Sequence, residues 1–352
     1  MKSKALDAKL FEKRKMDHLR HSLEAKNQAS GQNGLDRVHL VHEALPELNF
    51  DEIDLSTTCV GRPLKTPFFV SGMTAGHADA PAINRLLASA CEKRGWALGV
   101  GSQRRDLESI RDTVNGEWSQ FRKAYPNLFL IGNLGISQVI LASLADIQKV
   151  IASLKVDLLA VHANALQEVL QPEGTPQFKG ALKALEVLSL NLAVPLLLKE
   201  TGCGFSSATL KRLSKLRLAA VDISGLGGTH WGRIEGDRAA PQSLQAVAAE
   251  TFADWGESTV NSVIAGKKSL PKKTELWASG GVRNGLDAAK LIALGARRIG
   301  YAKPALEAAL KGEAALHQWM AQQEFELRVA LFCTGSLSPA ILRKIECFRL
   351  RV

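Results

Sequence analysis

The chemistry of this chain is densest in the seven residues His162-Ala163-Asn164-Ala165-Leu166-Gln167-Glu168. They follow an apolar run, Leu158-Leu159-Ala160-Val161, that reads as a buried strand. The period of two along a strand puts His162 and Asn164 on one face. The chain then turns, so that Gln167 and Glu168 hang off the strand's C-terminal end. One imidazole, two amides and a carboxylate within a short reach could hold a polar substrate and one hydrated divalent cation. A lone histidine on a strand is usually a satisfied core residue. The amides and carboxylate beside this one turn the reading toward a site.

Positioning such a cluster takes a scaffold, and from residue 67 onward the sequence supplies one. Eight short apolar runs recur: Pro67–Gly72, Ala97–Ser102, Leu128–Gly135, Leu158–Asn164, Pro195–Thr201, Ala219–Gly225, Glu275–Gly281 and Arg297–Ala302. Helix-period stretches separate them, among them Ala80–Lys93, Ala142–Leu154, Ala181–Leu190, Ser206–Leu216 and Leu286–Leu294. Strands alternating with helices imply a parallel sheet, and continuously apolar strands imply one covered on both faces. Eight even units favour closure into an α/β (β/α)8 TIM barrel over an open, doubly wound sheet. Residues 1–60 form an N-terminal extension and 61–352 the barrel. The extension opens with a helix rich in Lys and Arg over Asp7–Glu24, whose basic face reads on pattern alone as solvated. The long connection from Leu226 to about Thr274 reads as one helix near Gln242–Phe252 and a basic tip of Lys267, Lys268, Lys272 and Lys273. Two or three helices from Pro304 to Cys347 close the barrel, with Met320, Leu327, Val329 and Leu331 as core.

A barrel of this kind places its chemistry at the C-terminal strand ends. The first ends Ser71-Gly72-Met73-Thr74-Ala75-Gly76, where small residues let a planar ligand approach the backbone; a tight turn would explain the glycines equally well. The second ends Gly101-Ser102-Gln103-Arg104-Arg105, with arginines suited to phosphate or simply to exposed ion pairs. The third offers Asn133. The fifth ends on Lys199, and a buried ammonium needs an anion. Glu200 is a poor partner, since adjacent strand residues face opposite ways. A reduced flavin, negative at its N1–C2 edge, would serve. The sixth, seventh and eighth ends carry Ser224-Gly225-Leu226-Gly227-Gly228-Thr229, Gly280-Gly281-Val282-Arg283 and Ala302-Lys303. Glycine-rich loops beside helix N-termini make a phosphate cradle. Two anion sites result, one at strands six to eight for a cofactor phosphate, the other at Arg14, Lys15 and Arg104 for a substrate phosphate.

Composition sets limits on this picture. Of the 352 residues, 46% are hydrophobic and 23% charged, ordinary globular usage. No apolar run is long enough to span a bilayer and no signal peptide is visible, so no membrane insertion is expected. The five cysteines are scattered, with no CxxC, which suits a reduced cytoplasmic setting. The net charge of +10 reads as steering toward an anionic small molecule. No basic run is interleaved with aromatics, and only 2 tyrosines are present, so no nucleic-acid partner is expected.

In order along the chain stand Arg14-Lys15-x-x-His18-Leu19, Met73-Thr74, Gly101-Ser102-Gln103-Arg104, His162-x-Asn164-x-x-Gln167-Glu168, Lys199-Glu200-x-Gly202-x-Gly204, Gly225-x-Gly227-Gly228-Thr229-x-Trp231-x-x-Ile234-Glu235 and Ser279-Gly280-Gly281-x-Arg283. This series resembles the type 2, FMN-dependent isopentenyl-diphosphate isomerase family over nearly the whole length. The resemblance implies that Met73, Thr74, Ala75, Ser102, Asn133, Lys199, Ser224, Thr229, Gly281, Arg283, Ala302 and Lys303 surround FMN. It places Arg14, Lys15, His18, Ser102, Gln103, Arg104, His162, Asn164 and Gln167 against a small-molecule diphosphate substrate, with Gln167, Lys199, His162 and Asn164 in catalysis. Glu168 would hold Mg2+ against the diphosphate, NAD(P)H would serve to reduce the flavin, and a homo-oligomer, tetramer or octamer, is implied. Two positions depart from the family pattern. Ala75 stands where a glycine is usual, and His230 stands for a serine, where it would alter the phosphate contact locally. The rivals are an FMN-dependent 2-hydroxy-acid oxidase or dehydrogenase on the same barrel and a flavin-binding barrel without chemistry.

Overall fold

The computed structural model describes residues 2–73, 80–109, 116–345 and 347–351. Thr74 and Ala75 lie outside the described residues. In chain order the strands are β1 (Val38–Leu40), β2 (Thr57–Cys59), β3 (Arg62–Leu64), β4 (Phe68–Val70), β5 (Ala97–Gly99), β6 (Phe129–Gly135), β7 (Leu158–His162), β8 (Leu196–Lys199), β9 (Ala220–Asp222), β10 (Glu275–Ala278), β11 (Arg298–Tyr301) and β12 (Phe348–Leu350). Strands β4 to β11 form a closed parallel barrel in sequence order, with β11 pairing β4. They are the eight strands expected from the apolar runs.

Period two along each strand sorts the side chains. Phe69, Phe129, Ile131, Leu158, Ala160, Leu197, Ala220 and Trp277 make one buried cluster within the ring, with Cys59, Val60 and Leu64 of the β2–β3 hairpin against it. Their alternates, such as Phe68, Val70, Leu130, Leu159, Val161, Leu196 and Leu198, belong to the larger core shared with the surrounding helices. The barrel is therefore packed from its N-terminal end upward, which leaves its C-terminal end for a ligand.

Several helices differ from the sequence reading. The stretch from 142 to 154 follows a separate short helix, Ile136–Leu141, because Ser143 caps a new one, Leu144–Leu154, by accepting from Asp146 N. The long connection holds three helices, not one: Trp231–Arg238, Leu244–Thr251 and Thr259–Ser269. Gly232, Gly236 and Gly266 weaken the helical signal of the first and third. Lys267 and Lys268 form no loop tip. They occupy the last turn of helix Thr259–Ser269, where a cation complements the helix dipole. In the C-terminal helix Glu313–Phe332, Met320, Leu327 and Leu331 are buried, whereas Val329 is 40% exposed on the outer face.

The N-terminal helix spans Lys2–Leu23 and contacts helix Trp231–Arg238. Beyond it the extension is stitched to the barrel by backbone bonds: Ala29 N to Gly228 O (2.8 Å), His230 N to Asn27 O (2.8 Å) and Val260 N to Asn33 O (3.0 Å). The antiparallel pair of β1 and β12 joins the extension to the C-terminus.

Candidate active site

The inward period that fills the barrel with Ile131, Ala160, Leu197 and Ala220 ends, one step higher, on Asn133, His162, Lys199 and Asp222. The ladder sets His162 beside Lys199 and Lys199 beside Asp222. Asn133 Nδ2 donates to Val100 O (3.2 Å), which leaves its Oδ1 to accept from His162 Nδ1 at 2.8 Å. Burial, with the charges of Lys199 and Lys15 adding to it, pulls His162 down to about 3, so its ring is neutral and Nε2 carries a lone pair. Lys199 is only 9% exposed, and its ammonium has no hydrogen bond or ion pair among the described residues. Burial lowers its pKa against the pull of Asp222 and Glu200. Desolvating an ammonium costs several kcal/mol, more than the ~1.5–3 kcal/mol that a packed leucine contributes. Packing alone would place an apolar residue there. Asp222, fully buried, accepts from Ser279 Oγ at 2.8 and 3.0 Å. Glu200 is turned into its own loop, where Oε2 accepts the N–H groups of Thr201, Gly202, Cys203 and Gly204.

Two glycine loops close over one side of the cavity. Gly281 has φ +73°, and a Cβ there would lie 2.3 Å from Gly227 O. Gly227 has φ +140°, and a Cβ there would meet Asn33 at 2.3 Å. Backbones this close, with Ser224, Thr229, Ala302, Lys303 and Arg283 around them, leave N–H groups and the Ser224 hydroxyl for an anion, while the Thr229 hydroxyl donates to Gln28 Oε1 (3.2 Å). Arg283 is held at this rim by Asp287 (2.9 Å) and Asp36 (3.1 Å).

The opposite side carries the His-Asn-Gln-Glu cluster. Asn164 Nδ2 donates to Gln167 Oε1 (3.1 Å) and Glu168 Oε1 (3.0 Å), while Glu168 Oε2 accepts from Thr175 N (2.6 Å). Gln167 Nε2 donates to Glu235 Oε1 at 3.1 Å. Glu235 is fully buried, bonds His18 Nε2 at 2.8 Å and is gripped on its other oxygen by Arg238. Burial alone would raise Glu235, but its bond to His18 and the nearby charges of His18 and Arg238 more than offset this, and the carboxyl sits below its ordinary value. Burial lowers His18, against its bond to Glu235. Above this network the N-terminal helix brings Arg14 and Lys15 to the cavity that Arg104 also lines. Burial, then repulsion from Arg14 and Arg104, pushes Lys15 down to about 8. Three cations that oppose one another at a cavity mouth make a site for a highly charged anion.

Arg14, Lys15, His18, Met73, Ser102, Arg104, Asn133, His162, Asn164, Gln167, Glu168, Lys199, Ser224, Thr229, Gly281, Arg283, Ala302 and Lys303 all line one cavity of about 370 Å3. Gln103 does not line it. It is 2% exposed, its Oε1 accepts from Asn133 N (3.1 Å), and its Nε2 donates to Asp106 (3.3 Å), so the expected substrate contact is spent on the wall. Nor does the basic helix present only a solvated face, because Arg14 and His18 are buried. His230 does not line the cavity. It is fully buried, its Nδ1 caps helix Trp231–Arg238 by accepting from Arg233 N (3.3 Å), and its Nε2 donates to Trp255 O (3.1 Å). Sequence reasoning did not single out Asp222, Arg238 or the hub role of Glu235. The inward phase of β9 points to Asp222; the other two depend on a long-range contact that no local pattern encodes.

Fold and site together define an FMN-binding (β/α)8 barrel, and the model of the family described as FMN-dependent dehydrogenase matches residues 9–127 and 175–345. Structures of mandelate oxidase (TM-score 0.66, 16% identity, 96% of each chain covered) and of a flavocytochrome b2 mutant (TM-score 0.68, 17% identity, 93% of this chain and 80% of that one) share the fold. Much nearer in sequence is the isopentenyl-diphosphate delta-isomerase of Bdellovibrio bacteriovorus, 50% identical over 93% of this chain and 94% of that protein. Those of Legionella pneumophila strain Corby (49%; 96% and 98%) and Halobacterium salinarum (41%; 97% and 94%) extend the match. The chain belongs to the isopentenyl-diphosphate delta-isomerase family within the FMN-dependent dehydrogenase fold. FMN is its cofactor, and the residues fit it: a close-packed phosphate cradle at one side and, facing the cavity, an ammonium without a hydrogen-bond partner among the described residues.

Proposed function

We propose that this chain interconverts isopentenyl and dimethylallyl diphosphate by allylic proton transfer, with no net redox change, in isoprenoid biosynthesis. The observation that carries the reading is the convergence of Arg14, Lys15 and Arg104 on the cavity that also holds Lys199, Gln167 and Glu168. Reduced FMN supplies an electron-rich face beside which a carbocation-like transition state is stabilised, and a nitrogen edge for proton exchange. Lys199 places positive charge at the electron-rich part of that ring system. Arg14, Lys15, Arg104 and Ser102 take the diphosphate, and the N-terminal extension thereby completes the substrate site of the barrel. Glu168 has lone pairs left after its two hydrogen bonds. With diphosphate oxygens and waters it suits Mg2+, which is commonly held by one or two carboxylates plus substrate phosphates. Gln167, fixed from both sides by Asn164 and Glu235, presents its amide to the reacting carbons. Neutral His162 offers a lone pair without adding charge. NAD(P)H would serve only to keep a bound flavin reduced.

Two coarser features extend the proposal. Among the described residues no helix is long and apolar enough to cross a membrane, and the five cysteines are unpaired. The family resemblance implies a cytoplasmic homo-oligomer, a tetramer or octamer, acting on a small molecule. The activity is tested by incubating purified protein with isopentenyl diphosphate, Mg2+ and prereduced FMN under anaerobic conditions. Dimethylallyl diphosphate should form while the flavin spectrum stays reduced. No product, or flavin oxidation in step with turnover of a 2-hydroxy acid, would overturn the assignment.

A further inference from the structure

Away from the cavity, the end of the N-terminal helix meets helix Trp231–Arg238 through a second polar cluster. His21 and Glu24 are three residues apart and so share a helical face. Asp237 approaches them from the other helix. His21 Nδ1 lies 3.2 Å from Glu24 Oε1 and 3.4 Å from Asp237 Oδ2, and the three ligand atoms all lie within 4.8 Å of one another. His21 is only 7% exposed. Its Nδ1 has no hydrogen bond, since neither oxygen stands where the ring N–H would reach it. A buried ring nitrogen is thus aimed into two carboxylates without making the bond that would account for it.

The spacing has a chemical meaning. Metal–ligand bonds of about 2.0–2.1 Å in a tetrahedron set neighbouring ligand atoms roughly 3.3–3.5 Å apart. Both His21 distances fall close to that edge. We propose that His21 Nδ1, Glu24 Oε1 and Asp237 Oδ2, with one water, form a site for a zinc-class divalent cation. The site fastens the end of the N-terminal helix to helix Trp231–Arg238. These two helices carry His18 and Glu235, so the cation braces the contact that aligns them. His21, Glu24 and Asp237 themselves do not line the cavity.

The neighbours allow it. Lys26 Nζ bonds Asp237 Oδ1 (2.9 Å) and approaches Glu24 Oε2 (3.4 Å), the oxygens turned away from His21. Lys26 is 62% exposed and can stay or swing out. Asn27 Nδ2 donates to Asp237 Oδ2 (2.7 Å), which leaves that oxygen a further lone pair. Arg20 donates to His21 Nε2 (3.1 Å). Loading a metal on Nδ1 moves the ring proton to Nε2, so Arg20, which is exposed, must turn away. With two carboxylates and one imidazole, the donor set selects a borderline cation over Mg2+, which prefers all-oxygen octahedra.

Zinc titration of the FMN-loaded protein by calorimetry, without substrate and in excess Mg2+, tests this. One zinc per chain should bind, at least tenfold more weakly in His21→Gln and in Asp237→Asn. No zinc binding in the native protein, or unchanged affinity in both variants, would overturn it. Because a variant can misfold, cobalt(II) added to the native protein gives an independent reading. Visible bands of a four-coordinate nitrogen and oxygen site are expected. A thiolate charge-transfer band, placing the metal on cysteine, or no cobalt spectrum at all, would refute the site.

Discussion

Glu168 shows how much a single residue has to reconcile. It is 7% exposed and accepts one hydrogen bond on each oxygen, yet it borders the cavity where a diphosphate would lie. A glutamine would keep the shape and lose the charge. Glu168→Gln should therefore raise the Mg2+ concentration needed for half-maximal activity at least tenfold while FMN stays bound. Full activity without metal would rule out this role. His162 bears on stability as well as on the site. Its folded pKa, about 3, lies below the ordinary 6.5, so the unfolded chain binds the extra proton between those values. The contribution is present above pH 6.5 and is lost as pH falls toward 3. Going from pH 6.5 to 5.5 should cost about 1 kcal/mol of unfolding free energy. Denaturant titrations at the two pH values should show a loss about 1 kcal/mol larger in the native protein than in His162→Gln, since the buried His18 and His230 contribute to both. An equal loss in both would mean that the ring is not held neutral by its surroundings.

Among the elements, the glycine loops are the most exacting. Gly281→Ala adds an atom 2.3 Å from Gly227 O at a backbone conformation of φ +73°. Gly61→Ala shares the conformational cost, φ +87°, roughly 1–2 kcal/mol, but meets nothing within 4 Å. A fluorescence titration with FMN should show affinity at least tenfold weaker for the first and unchanged for the second. Equal affinities would separate the loops from the phosphate site. The elements also mark where the sequence could be read. Every barrel strand is an apolar run bounded by glycine, charge or proline, so all eight were legible, and the strand phase carried Asn133, His162 and Lys199 with them. The long connection was legible only in its middle helix, Leu244–Thr251. Its helix Trp231–Arg238 starts on a histidine cap and contains two glycines, so neither cap nor periodicity announces it. What forms it is tertiary: Arg233 bonds Ala253 O (2.8 Å) and Gln28 O (2.8 Å), partners far off in the chain. Glu235 and Arg238 went unassigned for the same reason, and Gln103 looked like a ligand because one of its two wall contacts, Asn133, comes from β6.

For the whole molecule, a net charge of +10 and a cavity mouth of mutually repelling cations should steer an anionic substrate. Raising the salt from about 0.01 to 0.15 M shortens the screening length from ~30 to ~8 Å. kcat/KM for the diphosphate should then fall several-fold, with kcat changing less. A salt-independent kcat/KM would show that the net charge has no part in capture. The proposed function rests most heavily on Lys199, a cation buried in the barrel and proposed to stabilise an electron-rich flavin. A buried charge pair of this kind contributes on the order of 1–4 kcal/mol. At ~30 mV per 1.4 kcal/mol for a two-electron couple, Lys199→Met should lower the midpoint potential of bound FMN by roughly 20–90 mV. Redox titration of the two flavin-loaded proteins measures this directly: a drop of that size is predicted, and an unchanged potential would contradict the account.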